Sequence, residues 1–92
     1  VRVVVRAFAR FREVVGALQS IDLPDGSGIP DLLALLASRN DESRDLLFDE
    51  QGNVRQNIII MVNRKRVARN TLPGIFLAEG DEVAIYPPVA GG

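Results

Sequence analysis

The chain has 92 residues, 47% of them hydrophobic and 25% charged, which suits one soluble core and is too short for two ordinary domains. Eleven basic residues stand against twelve acidic ones for a net charge of −1; no long single-sign run supplies the electrostatics of bulk nucleic-acid or membrane binding, so neither partner is expected. Cys and His are both absent, which excludes disulfides, thiolate nucleophiles and an imidazole proton shuttle and leaves no expected metal site.

Val1 to Phe8 reads as a first strand. Val1, Val3, Val5 and Ala7 share one parity, and Arg2, Val4, Arg6 and Phe8 share the other, so the arginines mark an outer face. Phe8 is then either a large ring at least partly exposed on that face or the residue that closes one end of the core. Ala9 to Gly16 has no clean period of two and is expected to be a connection containing a turn of helix, ended by glycine. Ala17 to Leu23, with Leu18, Ile21 and Leu23 as its apolar members, predicts a second strand paired with the first as a hairpin. Pro24-Asp25-Gly26-Ser27-Gly28 supplies the turn after it.

Ile29, Leu32, Leu33 and Leu36 fall at i, i+3, i+4 and i+7, with Leu35 widening the stripe, and predict the main helix. Ser27 or Gly28 can cap it, Pro30 suits its first turn, and Asp31 sits where the positive end of the helix dipole favours a carboxylate. Asn40-Asp41 is expected to end it. Its stripe must be buried, and a sheet built from the flanking strands is the only element large enough to cover it.

Ser43 to Phe48 is expected to be a short helical turn over one edge of the core, and Asp49 to Asn53 a turn. Asn57 to Val62 reads as a central strand. Asn63-Arg64-Lys65-Arg66 reverses the chain into a short strand around Val67. The basic tip suits a phosphate or an acidic partner, and equally a solvated hairpin. Ala68 to Phe76 is the least readable stretch: Leu72-Pro73-Gly74 is expected to turn, with Ile75, Phe76 and Leu77 returning to the core. Ala78 to Asp81 turns into a last strand, Glu82 to Tyr86, on which Val83 and Ile85 face inward and Tyr86 emerges outward. The order is strand, strand, helix, strand, short strand, strand.

That last strand runs into Pro87-Pro88-Val89-Ala90-Gly91-Gly92. The prolines lack donors and end ladder pairing, and the small residues after them carry no charge. Gly91 and Gly92 lack a Cβ, so an extended chain can thread a channel too narrow for side chains and carry its carboxylate into another protein. Ordering such a tail costs roughly 1–2 kcal/mol per residue, so the globular part must add contacts of its own. Phe8 and Tyr86, on the outer face, are the expected suppliers.

The strand order resembles the β-grasp, or ubiquitin-like, fold. The stretch Leu77-Ala78-Glu79-Gly80-Asp81-Glu82-Val83-Ala84-Ile85-Tyr86-Pro87-Pro88-Val89-Ala90-Gly91-Gly92 resembles the C-terminal signature of the MoaD family, which comprises the small subunit of molybdopterin synthase and related archaeal small modifier proteins. Phe8 to Gly16 is similar to that family's first loop, and Ile29 to Leu36 to its helix. The most specific element is Pro-Pro-Val-x-Gly-Gly, because the sister carriers of thiamine synthesis and transfer-RNA thiolation usually lack the diproline. Two stretches depart from the pattern. Asn63-Arg64 stands where the family often has Asn-Gly, making a docking edge basic, and Ala68 to Phe76 is a few residues longer than the usual link.

The resemblance implies an α+β protein with a mixed sheet of about five strands on one main helix. Residues 1–86 would form the β-grasp domain and 87–92 an extended diglycine tail. It further implies a sulfur carrier for molybdenum cofactor biosynthesis that is a protein cosubstrate rather than an enzyme; with no signal-peptide pattern and no apolar run of roughly 18 or more residues in the sequence, a cytoplasmic protein is the default expectation. The Gly92 carboxylate would be adenylated by an E1-like enzyme of the MoeB or UbaA type, with ATP used by that enzyme and no cofactor bound to the carrier. The resulting thiocarboxylate would enter a MoaE-like large subunit. Partner contacts would come from Phe8, Tyr86, Pro87, Pro88, Val89 and Ala90. The alternative is a modifier that joins Gly92 to target-protein lysines, alone or together with sulfur transfer to transfer RNA. Self-conjugation on a side chain would use Lys65, the sole lysine.

Overall fold

A computed structural model describes residues 1–86. Five strands form one mixed sheet: β1 (Arg2–Ala7), β2 (Leu18–Asp22), β3 (Ile59–Val62), β4 (Lys65–Arg66) and β5 (Glu82–Tyr86). Their spatial order is β2-β1-β5-β3-β4. β1 pairs antiparallel with β2 and parallel with β5, while β3 pairs antiparallel with both β5 and β4. The last strand in sequence therefore occupies the middle of the sheet. This is the expected β-grasp arrangement.

Alternation along the strands separates two faces. On the inner face the register aligns Val5 with Val83 and Val83 with Val62, and Ala7 with Ile85 and Ile85 with Ile60. The main helix, α2 (Ile29–Ala37), buries Ile29, Leu32, Leu33 and Leu36 in the core that these strands share. Gly28 is its N-cap, and the Asp31 carboxylate accepts the Gly28 N–H at 2.8 Å, which satisfies a donor the helix itself cannot reach. Leu35 lies at the margin of the stripe and is 37% exposed, so the buried face is narrower than expected.

Two shorter helices complete the cover. The connection after β1 forms α1 (Arg10–Val15), which buries Phe11. The expected helical turn near residue 43 is a two-turn helix, α3 (Asp41–Leu47), which buries Ser43 and Leu47. Asn40 does not end α2, which stops at Ala37; its side chain accepts the Ser43 N–H at 2.8 Å and starts α3. An Asn between two apolar runs fits either role, and here the N-cap bond wins.

The hairpin after β3 is tighter than expected: β4 is Lys65–Arg66, one step before Val67, because the turn holds only Asn63 and Arg64. Val67 still donates its N–H to Ile60 O at 2.9 Å. The least readable stretch contains a 3-10 helix, Arg69–Gly74, that buries Leu72. Phe76 does not return to the core and is 70% exposed. It forms an isolated antiparallel bridge with Gly28; Leu77 is buried, and alternation of the extended backbone turns its neighbour outward.

Candidate functional site

The outer sheet face is built by the residues of opposite parity. Across one row the register sets Leu18 beside Arg6, Arg6 beside Ala84, Ala84 beside Met61, and Met61 beside Arg66. Among the described residues no helix covers this row, and Leu18 at its β2 end is 57% exposed. Ala84 is buried despite its outward parity, because larger neighbours flank its small side chain.

Phe8 and Tyr86 meet at the end of the face where β5 finishes. Their ring centroids are 4.3 Å apart and their planes differ by 5°. The parallel pairing of Ala7 with Ile85 brings the next residues of both strands level, and the Phe8 N–H donates to Ile85 O at 3.2 Å. Both rings are half-buried, so Phe8 stands on the outer face rather than inside the core.

The rings form one wall of a shallow pocket of about 230 Å³, lined also by Arg6, Met61, Arg64, Glu82 and Ala84. Arg6 Nε donates to Glu82 Oε2 at 3.3 Å across its floor. The remaining guanidinium is Arg64, held in place by its neighbour. Asn63 donates its Nδ2 to Asp81 Oδ1 at 2.9 Å and accepts the Glu82 N–H at 2.9 Å on its side-chain oxygen, while its own N–H donates to Glu82 O at 2.8 Å. These bonds fasten the hairpin to the start of β5. An apolar wall beside exposed cations can bind a protein surface.

Phe8 and Tyr86 are thus brought together. Pro87, Pro88, Val89, Ala90, Gly91 and Gly92 lie outside the described residues. Lys65 is set apart: it faces Val62, which faces Val83, so it is level with the start of β5, roughly 10 Å along the sheet and 10 Å across it from Tyr86. Arg6 and Glu82 were recoverable from strand parity, though neither was singled out. Met61 and Arg64 required the β3–β5 register, which no local pattern carries.

A larger hollow of about 680 Å³ lies between α2, α3 and the following loop, lined by Asp41, Arg44, Asp45, Phe48, Asp49 and Glu50 among others. Two of its carboxylates have local duties: Asp49 Oδ1 accepts the Gln51 and Asn53 N–H groups at 2.9 and 3.0 Å, and Asp41 lies 3.6 Å from Arg44. No group of three or more possible metal ligands occurs among the described residues. No helix among them is long and apolar enough to cross a membrane.

The ThiS family model matches residues 5–92, from within β1 through the terminal diglycine. The chain belongs to the ThiS family. Within reach of this family assignment, small archaeal modifier protein 3 of Haloferax volcanii is 36% identical over 89 residues, covering 95% of each chain. The molybdopterin synthase sulfur carrier subunit of Aedes aegypti is 36% identical over 94 residues, covering 100% of this chain and 90% of that protein. The crystal structure of SAMP1 from Haloferax volcanii superposes with a TM-score of 0.84 at 27% identity and covers 100% of both chains. ThiS-family membership and this superposition agree with the ubiquitin-like β-grasp built above from the strand register.

Proposed function

We propose that this protein is a sulfur carrier acting as the small subunit of molybdopterin synthase, with the carboxylate of Gly92 as its reactive group. The observation that carries the reading is the stacked Phe8–Tyr86 pair at the end of the middle strand, one residue before Pro87. The pair is a half-buried aromatic contact whose Tyr86 stands one residue before the tail in sequence. A partner that grips this contact has the tail within reach, and the cost of ordering the glycines is offset at the same interface.

The chemistry begins with a poor electrophile. A carboxylate resists nucleophiles until an E1-like enzyme uses ATP to convert one oxygen into an AMP leaving group. Sulfide from a sulfur donor then attacks the carbonyl carbon and expels AMP, giving the thiocarboxylate. In the synthase role that tail enters a MoaE-like large subunit and supplies sulfur to cyclic pyranopterin monophosphate to build the dithiolene. The catalytic side chains belong to the partners, because this chain has no Cys and no His. The test supplies at least two equivalents of the thiocarboxylated protein, with its large subunit, per cyclic pyranopterin monophosphate, because each carrier brings one sulfur and a dithiolene holds two. Dithiolene formation with return of the original carrier mass supports the reading, and a thiocarboxylate that persists beside a competent subunit refutes it.

The similarity to small archaeal modifier protein 3 favours a second reading, in which a lysine amine attacks the same adenylated Gly92 to give an isopeptide bond. Dual use, including sulfur transfer for transfer-RNA thiolation, employs the same activation. A search of cell lysate for diglycine remnants on target lysines separates this route from the first. Lys65 is the one side chain available for self-conjugation.

A further inference from the structure

The two residues of the β3–β4 turn, Asn63 and Arg64, have φ values of 50° and 70°. Two left-handed residues in succession make the hairpin turn that Asn-Gly fits best, since glycine carries no Cβ penalty in the second place. Asn63 suits its place and is bonded three times to β5 and the residue before it. Arg64 is a long side chain held where glycine would be relaxed. The turn geometry alone gives no reason for arginine.

Its surroundings give one. Arg64 lines the pocket walled by Phe8 and Tyr86, where two guanidinium groups, Arg6 and Arg64, face the single carboxylate of Glu82. Arg6 is paired with that carboxylate at 3.3 Å. Arg64, Lys65 and Arg66 are all exposed, and none makes a salt bridge among the described residues. The pocket therefore combines an apolar wall with an unmatched, planar donor on its rim.

We propose that Arg64 is a specificity-determining residue of this face, and that its occupant is the E1-like activating enzyme, presenting an apolar side chain to the Phe8–Tyr86–Met61 wall and a carboxylate to Arg64. The inference rests on the reading that Gly92 is activated by such an enzyme. That enzyme is the occupant because the pocket adjoins the residue from which the tail departs and because carrier and modifier chemistry both begin with adenylation. Charge complementarity supplies the second half of the match: an acidic rim on the enzyme finds three exposed cations at one hairpin tip, whereas the protein as a whole carries a net charge of −1.

The experiment titrates the wild type, Arg64→Gly and Arg64→Glu with the activating enzyme of the same organism and, separately, with the large subunit at low and high salt, and in parallel measures thermal unfolding. Arg64→Gly is expected to raise Tm by roughly 2–6 °C as the turn relaxes. The same variant is expected to bind about five- to tenfold more weakly at low salt, with a flatter salt dependence. Arg64→Glu binds more weakly still. A gain in stability with a loss in affinity is the signature that a merely structural role does not produce. Arg64→Gly with wild-type affinity and salt dependence overturns the proposal, and so does a loss confined to the large subunit. A wild type that does not bind the activating enzyme at all removes the functional reading itself, an outcome distinct from unchanged binding by the variant.

Discussion

Replacing Tyr86 with alanine separates the docking role of the ring pair from its structural role. The rings stack with centroids 4.3 Å apart, and both stand outside the core cluster. Such a pair contributes about 0.5–1.5 kcal/mol beyond its buried area. With the half-exposed ring area added, the loss to folding is about 1–2 kcal/mol, small beside the 5–15 kcal/mol typical of a folded domain. An aromatic anchor at the centre of an interface contributes about 2 kcal/mol or more, so affinity for the activating enzyme should fall about 30-fold. Urea denaturation measures the first quantity and calorimetric titration the second. A cycle with Phe8→Ala and the double variant should return a folding coupling of about 0.5–1.5 kcal/mol. Unchanged affinity, or a protein that no longer folds, would refute the assignment of Tyr86 as an outer-face anchor.

Three further substitutions test the fold that presents this face. In Gly28→Ala the new Cβ would lie 2.8 Å from the Ile75 carbonyl oxygen, although φ at −109° suits any residue. A loss of about 1–3 kcal/mol is expected from urea midpoints, and wild-type stability would mean that the two segments do not approach so closely. Ser43 is fully buried and its Oγ has no hydrogen-bond partner among the described residues, so Ser43→Ala should be neutral or stabilise by up to about 1 kcal/mol in the same assay. A clear loss would reveal a partner. Arg2 Nε donates to Asp22 Oδ1 at 2.8 Å and, by that bond first and its charge second, holds the Asp22 carboxyl below its ordinary value. A carboxyl lowered in the folded state adds stability above the unfolded pKa of about 4 and loses it as pH falls through the folded value. Both partners are exposed, so the effect is small. Wild type should lose stability more steeply than Asp22→Asn below about pH 4 in acid titrations followed by circular dichroism, and parallel curves would contradict the pairing.

Much of the architecture is legible in local pattern because local pattern reports which side is buried. Arg2 and Arg6 mark the outer parity of β1, and Val3, Val5 and Ala7 are buried as that parity requires. The spacing of Ile29, Leu32, Leu33 and Leu36 identifies the stripe that α2 buries. What local pattern cannot carry is register between distant strands. The outward parity of Phe8 and Tyr86 was readable, whereas their stacking depends on pairing Ala7 with Ile85 across 78 positions of sequence. Arg64 joins the same pocket through the pairing of Met61 with Ala84. Phe76 illustrates the opposite failure: hydrophobicity suggested burial, while alternation beside the buried Leu77 placed the ring in solvent. Asn40 was ambiguous because the same polar residue can end one helix or cap the next, and its bond to Ser43 is visible only in three dimensions.

The central claim is that the terminal carboxylate of Gly92 is the group on which the chemistry occurs. Intact-mass measurement after incubation with the E1-like enzyme, ATP and a sulfur donor tests it most directly. The account predicts replacement of one oxygen by sulfur, localised by fragmentation to Gly92 and dependent on ATP. An unchanged mass in the presence of an enzyme that activates another carrier would contradict it.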